Sequence, residues 1–234
     1  MQILLGIAVV LVGYLVGSIP FGLIIVKLGT GKDLRRVESG RTGGTNAMRA
    51  AGIWAGVGTA VLDFLKGAGA VWLANALVPD LIWIKILAPV AAVFGHNYSI
   101  FLAEKNEKGY LRLRGGAGGA PTVGGSLGLW APSVLIILPT GVVLLFLLGY
   151  ASVTTMSVAL LSSIIFAIRA IVLGKPWEYI FYGLIAEVIV MWSLRPNIKR
   201  LIQGNERLVG LRAWLNKKSS AKKTTYTSVS SPHP

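Results

Sequence analysis

Charged residues in this chain fall in short blocks between long apolar runs. From Met1 to Val26 no side chain is charged, which exceeds the ~20 residues a helix needs to cross a ~30 Å hydrocarbon core. That run has no basic leader, so it is expected to stay attached as a first span. A second apolar run covers 51–78, interrupted by Asp63 and Lys66, which at i and i+3 share one helix face and can pair. A third covers 82–102. Residues 115–168 then hold no charge over 54 positions. This stretch is too long for two simple crossings and rich in glycine and proline, so it reads as a short or broken span at 119–131, then spans at 133–149 and 151–172. A seventh span is predicted over 177–194, with Glu187 inside it.

The pattern predicts an all-α polytopic membrane protein of about seven transmembrane helices, with one integral-membrane domain over 1–216 and a basic, disordered tail over 217–234. Basic residues test the count independently. Residues 27–50 hold six Lys or Arg, 103–114 hold four and 195–234 hold nine, so 19 of 23 fall on one side. The positive-inside rule then puts the N-terminus outside and the tail in the cytoplasm.

Composition closes off other classes. With 54% hydrophobic and 14% charged residues and a mean hydropathy of +0.68, the chain is too apolar for a soluble domain. A net charge of +14 would suggest nucleic acid in a soluble protein. Here the basic blocks flank spans and the aromatics lie in apolar segments, so no nucleic-acid partner is expected. There is no cysteine, and the two histidines, His96 and His233, are too few for a metal site. Neither a metal, a cofactor nor a protein partner is expected, whereas membrane lipids are.

Two loops on the basic side carry candidate chemistry. The first, Gly31 to Arg49, combines Gly40, Gly43 and Gly44, whose backbone can approach a ligand closely, with Ser39, Thr45 and Asn46 as neutral donors and Arg35, Arg41 and Arg49 as cations. The second, Arg112 to Thr122, places Gly115, Gly116, Gly118 and Gly119 before a helix start, a phosphate-cradle composition. Each loop alone also fits a plain basic or flexible connector. Two on one leaflet, beside spans with small-residue spacings such as Gly52, Gly56 and Ala60, or Gly124 and Gly128, favour a phosphate site open sideways to lipid.

These residues resemble a family, the integral-membrane acyl-phosphate:glycerol-3-phosphate acyltransferases of bacteria. The likeness runs nearly end to end: residues 17–22 (GSIPFG), Asp33 to Arg49, Asp63 with Lys66 and Gly67, Gly95 with His96, Phe101 and Leu102, Arg114 to Thr122, and Asn197 through Arg200 and Gly204 to Glu206. The resemblance implies transfer of an acyl group from acyl phosphate to the 1-hydroxyl of glycerol 3-phosphate, giving lysophosphatidic acid. Acyl phosphate is already activated, so positioning and charge stabilisation suffice. The resemblance makes Ser39, Arg49 and Asn197 the catalytic residues. The expected substrate contacts are Ser39, Gly40, Arg41, Thr45, Asn46 and Arg49 in the first loop, and Arg114, Gly115, Gly116, Gly118 and Gly119 in the second.

Several positions depart from the family pattern. Ala117 stands where it has lysine, Leu194 where it has histidine, Arg41 where it has asparagine, Glu38 where it has glycine and Gly149 where it has arginine. Two readings follow, an acyltransferase and a catalytically degenerate relative that binds a lipid or phosphate as a scaffold or regulator. An anion transporter is disfavoured by the lack of an inverted repeat. The roles of His96, Asp63, Lys66 and Glu187 stay open, Glu187 being protonated, lumen-facing or bound to Arg169.

Overall fold

A long uncharged run can satisfy its backbone in lipid within itself only as a helix, and the computed structural model shows helix after helix. It describes residues 1–105, 107 and 109–213, so the tail expected over 217–234 lies outside the described residues. The helices are α1 (Gln2–Ser18), α2 (Phe21–Thr30), α3 (Gly44–Ala51), α4 (Ile53–Leu77), α5 (Ile82–Asn97), α6 (Gly119–Leu129), α7 (Val134–Leu148), α8 (Ala151–Leu173) and α9 (Tyr179–Ile202). A hairpin of β1 (Ser99–Lys105) and β2 (Leu111–Arg114) separates α5 from α6.

Among the described residues, five helical segments are long and apolar enough to cross a membrane: Gln2–Thr30, Ile53–Leu77, Ala131–Leu148, Ala151–Leu173 and Tyr179–Ile202. The third crossing is shorter than the hydropathy pattern suggests, and the fourth is as short as expected. The helix of the third stops at Asn97, because Ser99 onward is drawn into antiparallel pairing with β2. The fourth is α6, whose 11 residues rise only about 16 Å, half the core thickness.

The first span is broken at Ile19–Pro20, where proline supplies no N–H. The carbonyls freed there are capped from outside. Ser99 Oγ donates to Ser18 O at 2.5 Å and Lys66 Nζ donates to Ile19 O at 3.1 Å. Glycines set how closely the helices approach. A Cβ on Gly67 of α4 would run into the Pro121 carbonyl of α6, and one on Gly124 into the Phe64 carbonyl of α4. At the same end of the bundle α3 packs over α2, closing a small core of Val26, Leu34, Ala47 and Ala50. Past α9 the chain folds back, Val209 N–H donating to Gly149 O at 2.8 Å.

Candidate active site

The two loops singled out in the sequence meet. Thr42 N–H donates to Gly115 O at 3.3 Å, and Arg41 Nη1 donates to Gly116 O at 2.8 Å. Asn46 shapes the first loop from within, its Nδ2 donating to the carbonyls of Leu34, Val37 and Arg41 at 3.2, 3.0 and 2.8 Å. Its nitrogen is thereby committed to the loop, not to a ligand. The second loop rests on the end of α5. Gly116 N–H donates to His96 O at 2.8 Å, and a Cβ on Gly116 would strike the His96 ring.

Between the loops lies a cavity of about 350 Å³. The first turns of three helices line it: Gly44 and Thr45 of α3, Gly119 and Ala120 of α6, and Ala151 and Ser152 of α8. Among the described residues, no side chain caps any of the three. Their orphan N–H groups and positive dipole ends therefore converge on one space, which selects for anions. Arg41, Arg49, Arg200 and Arg207 add full charges, while Ile53, Val57 and Leu145 give the cavity an apolar side.

Arg41 crosses the middle of the site. Besides Gly116 O, its Nη1 donates to Ser193 Oγ at 2.9 Å, and its Nη2 donates to Ser193 O at 2.6 Å and to Asn197 Oδ1 at 3.2 Å. Asn197 Nδ2 in turn donates to Glu206 Oε1 at 2.8 Å, and Glu206 also accepts from Arg200 Nε at 3.0 Å and Ser152 Oγ at 3.3 Å. With a cation on its oxygen side and a carboxylate on its nitrogen side, the Asn197 amide has one orientation. Burial pulls the pKa of both Arg41 and Arg49 down from the usual guanidinium value, and a bound anion would reverse that.

A second buried cluster braces the site. Lys66 Nζ lies 2.9 Å from Asp63 Oδ1, and His96 Nδ1 lies 3.5 Å from the same oxygen. It joins the α1–α2 break to α4 and to the end of α5, where the glycine loop sits. Glu187, by contrast, forms no ion pair with Arg169 among the described residues. The Arg169 guanidinium lies over the Trp130 ring at 4.9 Å, and Glu187 Oε2 is buried without a hydrogen-bond partner.

Of the residues expected at the site, Ser39, Arg41, Thr45, Asn46, Arg49, Gly118, Gly119 and Asn197 line the cavity. Gly40, Arg114 and Gly115 line a neighbouring chamber instead, and Gly116 contributes its carbonyl to Arg41. Arg114 is ion-paired with Glu104 across the hairpin. Ala117 and Leu194 both line the cavity, and Ala117 packs against the cluster of Ala159, Val190 and Leu194. Where the family resemblance expects a lysine and a histidine, one small apolar patch stands, with Arg41 reaching both its flanks. The sequence reading missed Ser152, Thr155, Arg200 and Glu206 as lining residues. Only the resemblance of the 197–206 segment hinted at Arg200 and Glu206, and nothing in the pattern pointed to Ser152 or Thr155.

A family model described as Glycerol-3-phosphate acyltransferase matches residues 7–204. A glycerol-3-phosphate acyltransferase of Rubrobacter xylanophilus is 35% identical over 210 residues, 90% of this chain and 98% of that protein. One of Thermus thermophilus is 36% identical over 205 residues, 87% of this chain and 94% of that protein. Among solved structures, the glycerol 3-phosphate form of PlsY (YgiH), an integral membrane glycerol 3-phosphate acyltransferase, superposes with a TM-score of 0.76 at 30% identity, covering 90% of this chain and 98% of that one. Its lysophosphatidic acid form gives a TM-score of 0.74 at 27% identity, with the same coverage. Relatives matched over nearly their whole length and a shared membrane fold agree, and the chain belongs to the glycerol-3-phosphate acyltransferase family.

Proposed function

We propose that this multi-pass membrane protein transfers an acyl group from acyl phosphate to the 1-hydroxyl of glycerol 3-phosphate, giving lysophosphatidic acid and inorganic phosphate. The carrying observation is the cavity into which three uncapped helix N-termini and four arginines converge beside an apolar wall. A reaction between two phosphate-bearing substrates, one with a fatty tail, needs that combination. The acceptor hydroxyl attacks the acyl carbon, the bond from that carbon to the bridging oxygen breaks, and the hydroxyl proton leaves on inorganic phosphate, so atoms and charge balance. No enzyme nucleophile is required, because the mixed anhydride is already activated.

Ser39 and Arg49 hold the acceptor phosphate, and Asn197, oriented by Arg41 and Glu206, completes that pocket. The N-termini of α6 and α8 face the acyl-phosphate head, and the tail lies along Ile53, Val57 and Leu145. The basic loops face the cytoplasm of a bacterial cell, with the N-terminus on the other side and α5 and α6 completing seven passes. Arg41 supports activity despite Ala117 and Leu194, since its guanidinium bonds to Gly116 O and Ser193 O, the residues next to both. The test uses purified protein in phosphatidylcholine nanodiscs with palmitoyl phosphate and labelled glycerol 3-phosphate. Lysophosphatidate and equimolar phosphate are expected, with a loss of about a hundredfold in Ser39→Ala or Arg49→Gln. No product above a protein-free control would overturn the reading in favour of a binding-only relative.

A further inference from the structure

A second chamber, of about 630 Å³, adjoins the reaction cavity. The two share Ser39, Arg41, Asn197, Arg200 and Arg207, so the Arg41 bridge from Gly116 to Ser193 and Asn197 forms part of their common wall. Eight arginines line this chamber. Four have carboxylate partners: Arg35 with Asp33, Arg114 with Glu104, Arg200 with Glu206 and Arg207 with Glu38. Arg41 is bonded to neutral groups. Arg36, Arg112 and Arg195 have no ion pair among the described residues, and Arg195 lies 3.6 Å over the Trp192 ring.

Against four carboxylates, eight guanidinium groups leave the chamber four positive charges in excess. Like charges gathered in a concave wall repel one another, and a concave wall focuses their field outward. Guanidinium forks match phosphate oxygens in particular. We propose that this chamber is a separate capture site for a phosphate monoester dianion, holding it before it passes Arg41 into the reaction cavity. The ligand's identity, soluble glycerol 3-phosphate, rests on the acyltransferase reading. A lipid phosphomonoester headgroup has the same chemistry, so the experiment must separate the two sources.

The test needs no turnover. In phosphatidylcholine nanodiscs at low salt, Trp192 fluorescence is titrated with glycerol 3-phosphate and with inorganic phosphate. A saturable change is expected, absent in Trp192→Phe and weakened about tenfold in the combined Arg36→Gln, Arg112→Gln and Arg195→Gln variant, with smaller shifts in each single variant. In turnover, the combined variant should lose about tenfold in kcat/KM for glycerol 3-phosphate, keep kcat within about twofold and show a flatter salt dependence. A kcat loss as large as the kcat/KM loss, or fluorescence unchanged by phosphate, would overturn the capture site. So would a response confined to nanodiscs containing phosphatidic acid, which would make lipid the occupant. Binding without transfer would sink the acyltransferase reading alone, whereas transfer without the fluorescence response would sink the capture site alone.

Discussion

At the scale of single residues, the site depends on how one guanidinium is shared. Arg41 uses both terminal nitrogens on protein acceptors, so its work is to fix the glycine loop and Asn197 in register. Arg41→Ala should lower kcat/KM by about a hundredfold, and Arg41→Lys should recover little, because an ammonium has no planar fork to span four acceptors. Steady-state kinetics with both substrates varied would check this. Asn197→Asp places a second carboxylate on Glu206, whose Oε1 now accepts from Asn197 Nδ2 at 2.8 Å. Two carboxylates that close repel one another. The variant's melting midpoint should lie below that of the unmodified protein, and Asn197→Asp with Glu206→Gln should recover it, as thermal scans would show. That Ser39, Arg49, Gly118 and Gly119 would lie at one cavity was legible because their residue types declare anion chemistry. The partners of Asn197 were not, since Arg41 lies 156 positions away in the chain and Glu206, nine positions on, meets it only because the chain folds back after α9.

At the scale of elements, hydropathy found the long helices well because lipid leaves them no alternative. It failed at two boundaries for physical reasons. The stretch Ser99 to Leu102 is as apolar as a helix end, and its fate as a strand is decided by β2, which hydropathy does not register. The break after Ser18 was equally hidden, since proline there is supported by Ser99 and Lys66 from other elements. Packing of α4 on α6 depends on glycine as spacing. Gly67→Ala or Gly124→Ala would push a methyl group into a facing carbonyl, at a cost of about 1–3 kcal/mol. Gly69→Ala, at a position with open space around it, should be neutral or slightly stabilising. Unfolding in detergent, followed by tryptophan emission, would compare the three. Since α6 carries the glycine loop's helix start, the first two variants should also lose activity.

At the scale of the whole molecule, the bundle brings three helix starts and two basic loops to one end and leaves an apolar flank beside them. That arrangement suits a water-soluble phosphate on one side and a lipid-borne acyl donor on the other. The gathering of basic residues was visible in the sequence, because 19 of 23 lie in three segments. Their division into a reaction cavity and an arginine chamber was not, since it depends on where Arg41 bridges. The central claim concerns the donor. Purified protein in phosphatidylcholine nanodiscs, given glycerol 3-phosphate with either palmitoyl phosphate or palmitoyl-coenzyme A, should form lysophosphatidate from the acyl phosphate alone, releasing one phosphate per product. Product from the thioester at a comparable rate, or product without phosphate release, would contradict it.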